Sequence, residues 1–250
     1  MLPSHCRLTA AVVLIAATWV FPATAQDADG YEALRAHLVR EIMDDAWRMA
    51  DITGRPTLDP RVLEAIGAVP RHLFVPPPLE PFAYLNRPLP VGHGQTVSQP
   101  FIVALMTDLA RIAPADRVLE VGAGGGYHAA VLAELAAEVF SVEILEPVAD
   151  AARARLAGQG YTNVEVHVGD GYFGWRDEAP YDVIIIRLAV NHVPGVLLNQ
   201  LKPGGRLVAP IGPPDLGQDL MLIEKDAAGR LRSTPILPVI FTYLPGGERV

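Results

Sequence analysis

Arg117 to Val121 reads as a short apolar strand that runs without a spacer into Gly122-Ala123-Gly124-Gly125-Gly126, and Tyr127 to Leu135 reads as a helix. Strand, glycine turn and helix in direct succession are the opening of a β-α-β unit, which commits the chain to a parallel sheet. Glycine tolerates positive φ and carries no Cβ to block a ligand approaching the backbone. The turn therefore offers N–H groups at a helix N-terminus.

The rest of the chain from Gln99 repeats that alternation. Phe101 to Ile112, Pro147 to Leu156 and Pro194 to Leu201 read as helices. Strands are expected at Val139 to Val142, Val164 to Val168, Tyr181 to Ile186 and Gly205 to Pro210. Val183-Ile184-Ile185-Ile186 is apolar at every position, as a strand covered on both faces must be. Leu220 to Lys225 and Ile236 to Ile240, joined through a turn at Asp226 to Gly229, and a short stretch at Phe241 to Leu244, read as further strands. The predicted fold is α/β: a doubly wound, mostly parallel sheet with an antiparallel C-terminal edge. In such sheets ligands bind beyond the carboxyl ends of the strands.

Three acidic or glycine-rich features sit at those ends. Gly122, Gly124 and Gly126 form G-x-G-x-G, where a dinucleotide turn usually has G-x-G-x-x-G. Glu143 ends the second strand and can accept hydrogen bonds from ribose hydroxyls. Asp170, in Gly169-Asp170-Gly171 after the third strand, can accept from an adenine amine. With Glu120 beside the loop and Gly171 beside Asp170, these residues form the expected cofactor set. Their order describes an adenosyl ligand with no pyrophosphate, which favours S-adenosylmethionine over NAD.

Ahead of this unit the texture differs. Leu34, Leu38, Ile42, Ala46 and Met49 recur at helical spacing within residues 31–50, and Pro60 to Ile66 reads as a second helix with Asp59 as its cap. Prolines crowd residues 70–97, which are expected to form an ordered wrap of loops. The apolar run Thr9 to Phe21 followed by Ala23-Thr24-Ala25 reads as a signal peptide over residues 1–25, cleaved before Gln26. An uncleaved anchor or a misassigned start remains open. The expected organisation is thus residues 1–25 as leader, 26–97 as helices and wrap, and 98–250 as the cofactor-binding domain. Cys6, the single cysteine, falls inside the leader. The leader predicts a periplasmic or secreted protein without stable membrane insertion after processing, with the cytoplasm as the alternative. A net charge of −8 with no basic run argues against nucleic acid as a partner. The histidines His37, His72, His128, His167 and His192 show no metal-ligand spacing, and no metal is expected.

Three stretches resemble the protein-L-isoaspartate O-methyltransferases. They are Pro70-Arg71-His72-Leu73-Phe74-Val75-Pro76, then Pro88 through Gly94-Gln95-Thr96-Val97-Ser98-Gln99-Pro100, then Val118 through Gly169-Asp170-Gly171 to Leu201-Lys202-Pro203-Gly204-Gly205-Arg206-Leu207-Val208. The likeness spans about residues 60–246, and the G-Q-T-x-S-Q-P segment is its specific part. It implies a class I (Rossmann-like) S-adenosylmethionine-dependent methyltransferase acting on the free α-carboxylate of L-isoaspartyl residues in damaged proteins. The likeness also implies that Ser98 lies at the reacting carboxylate, with His93, Gln95 and Thr96 around the substrate. A monomer is expected, although the sequence itself does not give the oligomeric state. Read without the likeness, Ser98 is a helix cap.

Departures from the family cluster after the fourth strand. A Thr-Ala-Ala-Ala-Pro-like stretch is replaced by Arg187-Leu188-Ala189-Val190-Asn191-His192-Val193-Pro194. Arg187 either adds a carboxylate anchor, since Arg pairs bidentately with carboxylates, or narrows the pocket. Asn86 stands where the family often has aspartate, and Ala123 and Gly125 where Thr and Ser are common. Two alternatives follow: a methyltransferase for another carboxylate, and a non-catalytic binding protein on the same fold. A serine hydrolase is disfavoured because no G-x-S-x-G surrounds Ser98. Export also separates the enzyme from S-adenosylmethionine, which is made in the cytoplasm.

Overall fold

The computed structural model describes residues 30–92, 94–213 and 216–244. The leader and His93 lie outside the described residues. No helix among them is long and apolar enough to cross a membrane.

The N-terminal part holds helices α1 (Tyr31–Arg48), α2 (Ala50–Thr53) and α3 (Pro60–Ala68). Leu38, Ile42 and Ala46 bury the inner face of α1, whereas Leu34, expected on that face, is exposed. Gly54 at φ 67° stops α2 in the left-handed conformation that glycine allows. Asp59 caps α3 by accepting from Arg61 N–H at 2.9 Å, with Pro60 at the first turn, as the sequence predicts. The proline-rich wrap contains two 3-10 turns and a small antiparallel hairpin, β1 (Leu89–Gly92) with β2 (Gln95–Val97).

Then follow α4 (Pro100–Ala110), β3 (Arg117–Val121), α5 (Tyr127–Ala133), β4 (Glu138–Glu143), α6 (Glu146–Gly158), β5 (Val164–Val168), β6 (Tyr181–Ile186), α7 (Gly195–Gln200), β7 (Leu201–Ile211), β8 (Gln218–Lys225) and β9 (Leu231–Val239). The seven-stranded sheet has the order β5-β4-β3-β6-β7-β8-β9. β5 through β7 are parallel, and β8 and β9 are antiparallel. This is the predicted doubly wound sheet with an antiparallel edge. Alternate residues of β6 enter opposite cores: Val183 and Ile185 join the core shared with α1, α3, α4 and α5, and Ile184 and Ile186 the core shared with α7.

Two boundaries depart from expectation. β9 starts at Leu231, five residues before the expected Ile236, because its polar first half pairs by register with β8, as in Glu224↔Arg232. An edge strand with one solvent side needs no apolar alternation, and it tolerates Pro235 and Pro238. Phe241 to Leu244 is not a strand. It makes one bridge, Tyr243 to Ala189, with Ala189 N–H donating to Thr242 O at 2.8 Å.

Candidate active site

The strand order reverses at β3, with β4 and β5 added on one side and β6 and β7 on the other, and the glycine loop leaves β3 at that point. Gly122, Gly124 and Gly126 have φ of 94°, 51° and 91°. Gly125 serves a different need, since a Cβ there would lie 2.8 Å from the Phe74 carbonyl oxygen. The wrap therefore presses directly on the loop.

Glu143 ends β4, almost buried, and accepts from Gly124 N–H at 3.0 Å and Leu145 N–H at 3.1 Å. A carboxylate has about four acceptor positions, so two remain for a ligand. Asp170 follows β5, and its side chain accepts from Tyr172 N–H at 2.9 Å. Glycine loop, Glu143 and Asp170 thus stand at the carboxyl ends of three adjacent strands, β3, β4 and β5. That row suits an extended adenosyl ligand, and the donor set fits S-adenosylmethionine.

Two residues of the expected cofactor set have other positions. Glu120 is fully buried beneath the loop. It accepts from Ser141 Oγ at 2.5 Å and pairs with Arg187 Nη1 at 3.3 Å. Strand alternation explains this, because Glu120 points to the opposite face from Leu119 and Val121. Gly171 is also buried, and a Cβ there would collide with Val121 Cγ1. Its glycine identity serves packing against β3.

Burial pushes the Glu120 carboxyl up to about 7, against the opposing pull of Arg187. His128 is held well below its usual value by burial and then by Arg187. It is neutral, so its 3.9 Å approach to Glu120 is no ion pair. Thr107 donates its hydroxyl hydrogen to Val103 O at 2.8 Å and so accepts from His128 Nε2 at 3.0 Å. His128 is structural, as is His72, whose ring meets Tyr84 Oη at 2.7 Å.

On the other side of the glycine loop opens a cavity of about 670 Å³. Gly122, Gly124, Gln95, Thr96, Ser98 and Arg187 all line it. The fold thus gathers Gln95, Thr96, Ser98 and Arg187 with the loop; His93 lies outside the described residues. Helix α4 has no side-chain cap of its own, so Ser98 does not cap it. Asn86 Oδ1 takes that place, accepting from Phe101 N–H at 2.9 Å. Arg187 reaches Gly122 O at 2.7 Å and Ala123 O at 2.9 Å through Nη1, and its Nη2 lies 3.5 Å from Ser98 Oγ.

Sequence reasoning missed three contributors. Arg71, fully buried, donates to Ala83 O at 2.8 Å and to Ser98 O at 3.0 Å. Its guanidinium lies 4.7 Å from the centre of the Tyr127 ring. Burial brings Arg71 down to about 10, so it stays charged at neutral pH. Asp45 and the Leu237–Thr242 segment add walls to the cavity. A buried arginine inside the quoted P-R-H-L-F-V-P stretch was a visible signal. The distant walls had none.

The sequence model of the protein-L-isoaspartate(D-aspartate) O-methyltransferase family matches residues 50–249. The chain belongs to this family. A family relative, protein-L-isoaspartate O-methyltransferase 2 of Syntrophobacter fumaroxidans, is 53% identical over 88% of this chain and 89% of its own length. Protein-L-isoaspartate O-methyltransferase 1 of Cupriavidus necator is 49% identical over 98% of this chain and 95% of its own. A solved protein-L-isoaspartate O-methyltransferase superposes with a TM-score of 0.72 at 28% identity, covering 84% of this chain and 65% of that one. A Plasmodium falciparum structure solved with S-adenosyl-L-homocysteine has the same fold, with a TM-score of 0.69 at 20% identity over 86% of this chain and 97% of that one. The chain is an S-adenosylmethionine-dependent methyltransferase.

Proposed function

We propose that the enzyme methylates the free α-carboxylate of L-isoaspartyl residues in damaged proteins, with Ser98 and Arg187 holding that carboxylate. The observation that carries the reading is the meeting of Ser98 Oγ and Arg187 Nη2 on a cavity wall that continues into Gly122 and Gly124. Family membership supports the same acceptor.

The bound S-adenosylmethionine supplies a methyl group already activated by its positive sulfur. The acceptor carboxylate is ionised at neutral pH, so no strong base is required. The protein's part is to align and to exclude water, which in ideal cases is worth up to about 7–11 kcal/mol. Ser98 donates to one carboxylate oxygen and leaves the other aimed at the methyl. Arg187 is fixed through Nη1 by the loop carbonyls, so its Nη2 faces the acceptor without losing side-chain freedom on binding. Glu143 and Asp170 are assigned to the ribose hydroxyls and the adenine amine, and Gln95 and Thr96 to the peptide around the acceptor.

The test mixes the chain with radiolabelled S-adenosylmethionine and a peptide carrying one L-isoaspartyl residue, beside its aspartyl twin. Base-labile label on the isoaspartyl peptide alone is expected. Label on neither, with cofactor binding intact by calorimetry, would turn the Arg187 pocket over to another acceptor. Ser98→Ala is expected to lower turnover roughly tenfold or more while leaving cofactor affinity unchanged. Unchanged turnover removes Ser98 from the mechanism. Asp170→Ala is expected to weaken cofactor binding, and wild-type affinity would undo the adenine assignment.

We further propose a periplasmic or secreted location, on the strength of the apolar run and the Ala23-Thr24-Ala25 site. N-terminal sequencing of protein from fractionated cells should begin at Gln26. A chain retaining Met1 in the cytoplasm would reverse this.

A further inference from the structure

Helix α1 precedes residues 50–249, the stretch that the family's sequence model matches. Its last turn nevertheless lines the cavity through Asp45 and Arg48. Asp45 is one end of a relay. Its Oδ2 accepts from Asn86 Nδ2 at 2.8 Å, and Asn86 Oδ1 accepts from Phe101 N–H at 2.9 Å. Phe101 is the second residue of α4, where N–H groups lack partners within the helix.

Residue 86 must therefore donate on one side and accept on the other, and a primary amide does both. An aspartate there would still cap α4, but it would set a second carboxylate against Asp45. The amide at residue 86 and the acid on α1 are thus complementary. Ser98 lies three residues before Phe101, in the segment that this cap ends. Arg71 also holds the Ser98 carbonyl, at 3.0 Å. The hydroxyl is aimed by two anchors, one of which begins on α1.

We propose that Asp45 is a positioning residue of the acceptor site, acting through Asn86 on the first turn of α4 and so on Ser98. This rests on the acceptor assignment of Ser98. Helix α1 is on this view a working wall of the site, and Asn86 is tuned to it.

A charge-relocation cycle tests the relay. Asn86→Asp puts two carboxylates face to face. Asp45→Asn combined with Asn86→Asp restores one donor and one acid in reversed order. Asn86→Asp is expected to raise KM for the isoaspartyl peptide roughly tenfold. S-adenosylhomocysteine affinity by calorimetry should stay within about twofold of wild type, because the glycine loop is untouched. The double variant should return KM to within about threefold of wild type. A general loss of structure would instead weaken cofactor binding in parallel. An unchanged KM in Asn86→Asp, or a double variant no better than the single, overturns the relay while wild-type methylation stands. If Asn86→Asp does not fold, the double variant decides: a wild-type KM upholds the relay and a raised one overturns it. A wild-type chain that labels no isoaspartyl peptide removes the acceptor assignment, and the positioning role falls with it.

Discussion

Glu120 and Arg187 meet beneath the glycine loop, and the balance between them has a measurable consequence. An isolated buried carboxylate is expensive, and one opposite guanidinium offsets only part of that expense. The folded-state value of Glu120, about 7, lies above the ordinary 4.5. The folded protein therefore holds the proton more tightly than the unfolded chain. The stabilisation from this group is complete below about 4.5 and is lost as pH rises toward 7. Glu120→Gln mimics the protonated form at every pH. Thermal melts of the wild type should show stability falling from pH 5 to about 7, and the Gln variant should flatten that fall. Parallel pH profiles for the two proteins would mean that Glu120 does not titrate in this range. Gly125 makes the same residue-scale point sterically, since the close approach of Phe74 O leaves no room for a side chain unless the wrap shifts.

At the scale of elements, the proline-rich wrap is held by hydrogen bonds more than by regular structure. Its prolines remove donors, so its carbonyls need partners from elsewhere. Arg71 supplies them, joining Ala83 and Ser98 while stacking on Tyr127 at the start of α5. One side chain thus links the cofactor helix to the acceptor loop. Arg71→Met keeps much of the apolar contact but leaves buried carbonyls unpaired. It should cost about 2–4 kcal/mol, read from the urea midpoint. A loss below about 1 kcal/mol would mean that the carbonyls find other donors. The cap of α3 is a smaller case, and Asp59→Ala should cost about 1 kcal/mol by the same measurement.

For the whole molecule, the relevant fact is that one core includes Leu38 of α1, Ile66 of α3, Phe74 of the wrap and Val183 of the central sheet. Tyr31 stacks on His72 with ring centres 4.0 Å apart, tying α1 to the wrap as well. Elements that share a core melt together. Trp47, exposed on α1, and Trp175, packed against Phe140 of β4 in the second core, report on different parts of the fold. Urea unfolding followed by tryptophan fluorescence and by far-UV circular dichroism should superimpose. A separate early fluorescence transition would show that α1 unfolds by itself, which would also weaken its claim to a role in the acceptor site.

The order of strands and helices from Phe101 to Lys225, the glycine turn, and the placing of Glu143 and Asp170 at strand ends were all legible in the sequence. They depend on local periodicity and on short spacings, which the chain carries in its own order. The family and its cofactor were legible for the same reason, because their motifs are contiguous. The start of β9 was not, since an exposed edge strand is defined by its partner rather than by its own pattern. Nor could sequence order reveal that Glu120 is buried against Arg187, that Asn86 rather than Ser98 caps α4, or that α1 lines the cavity. Those are contacts between residues 15 to 67 positions apart. The pairing of β3 with β6 brings Glu120 and Arg187 together, and the packing of the wrap and α1 onto the sheet does the same for Asp45, Asn86 and Phe101; both are properties of the complete fold.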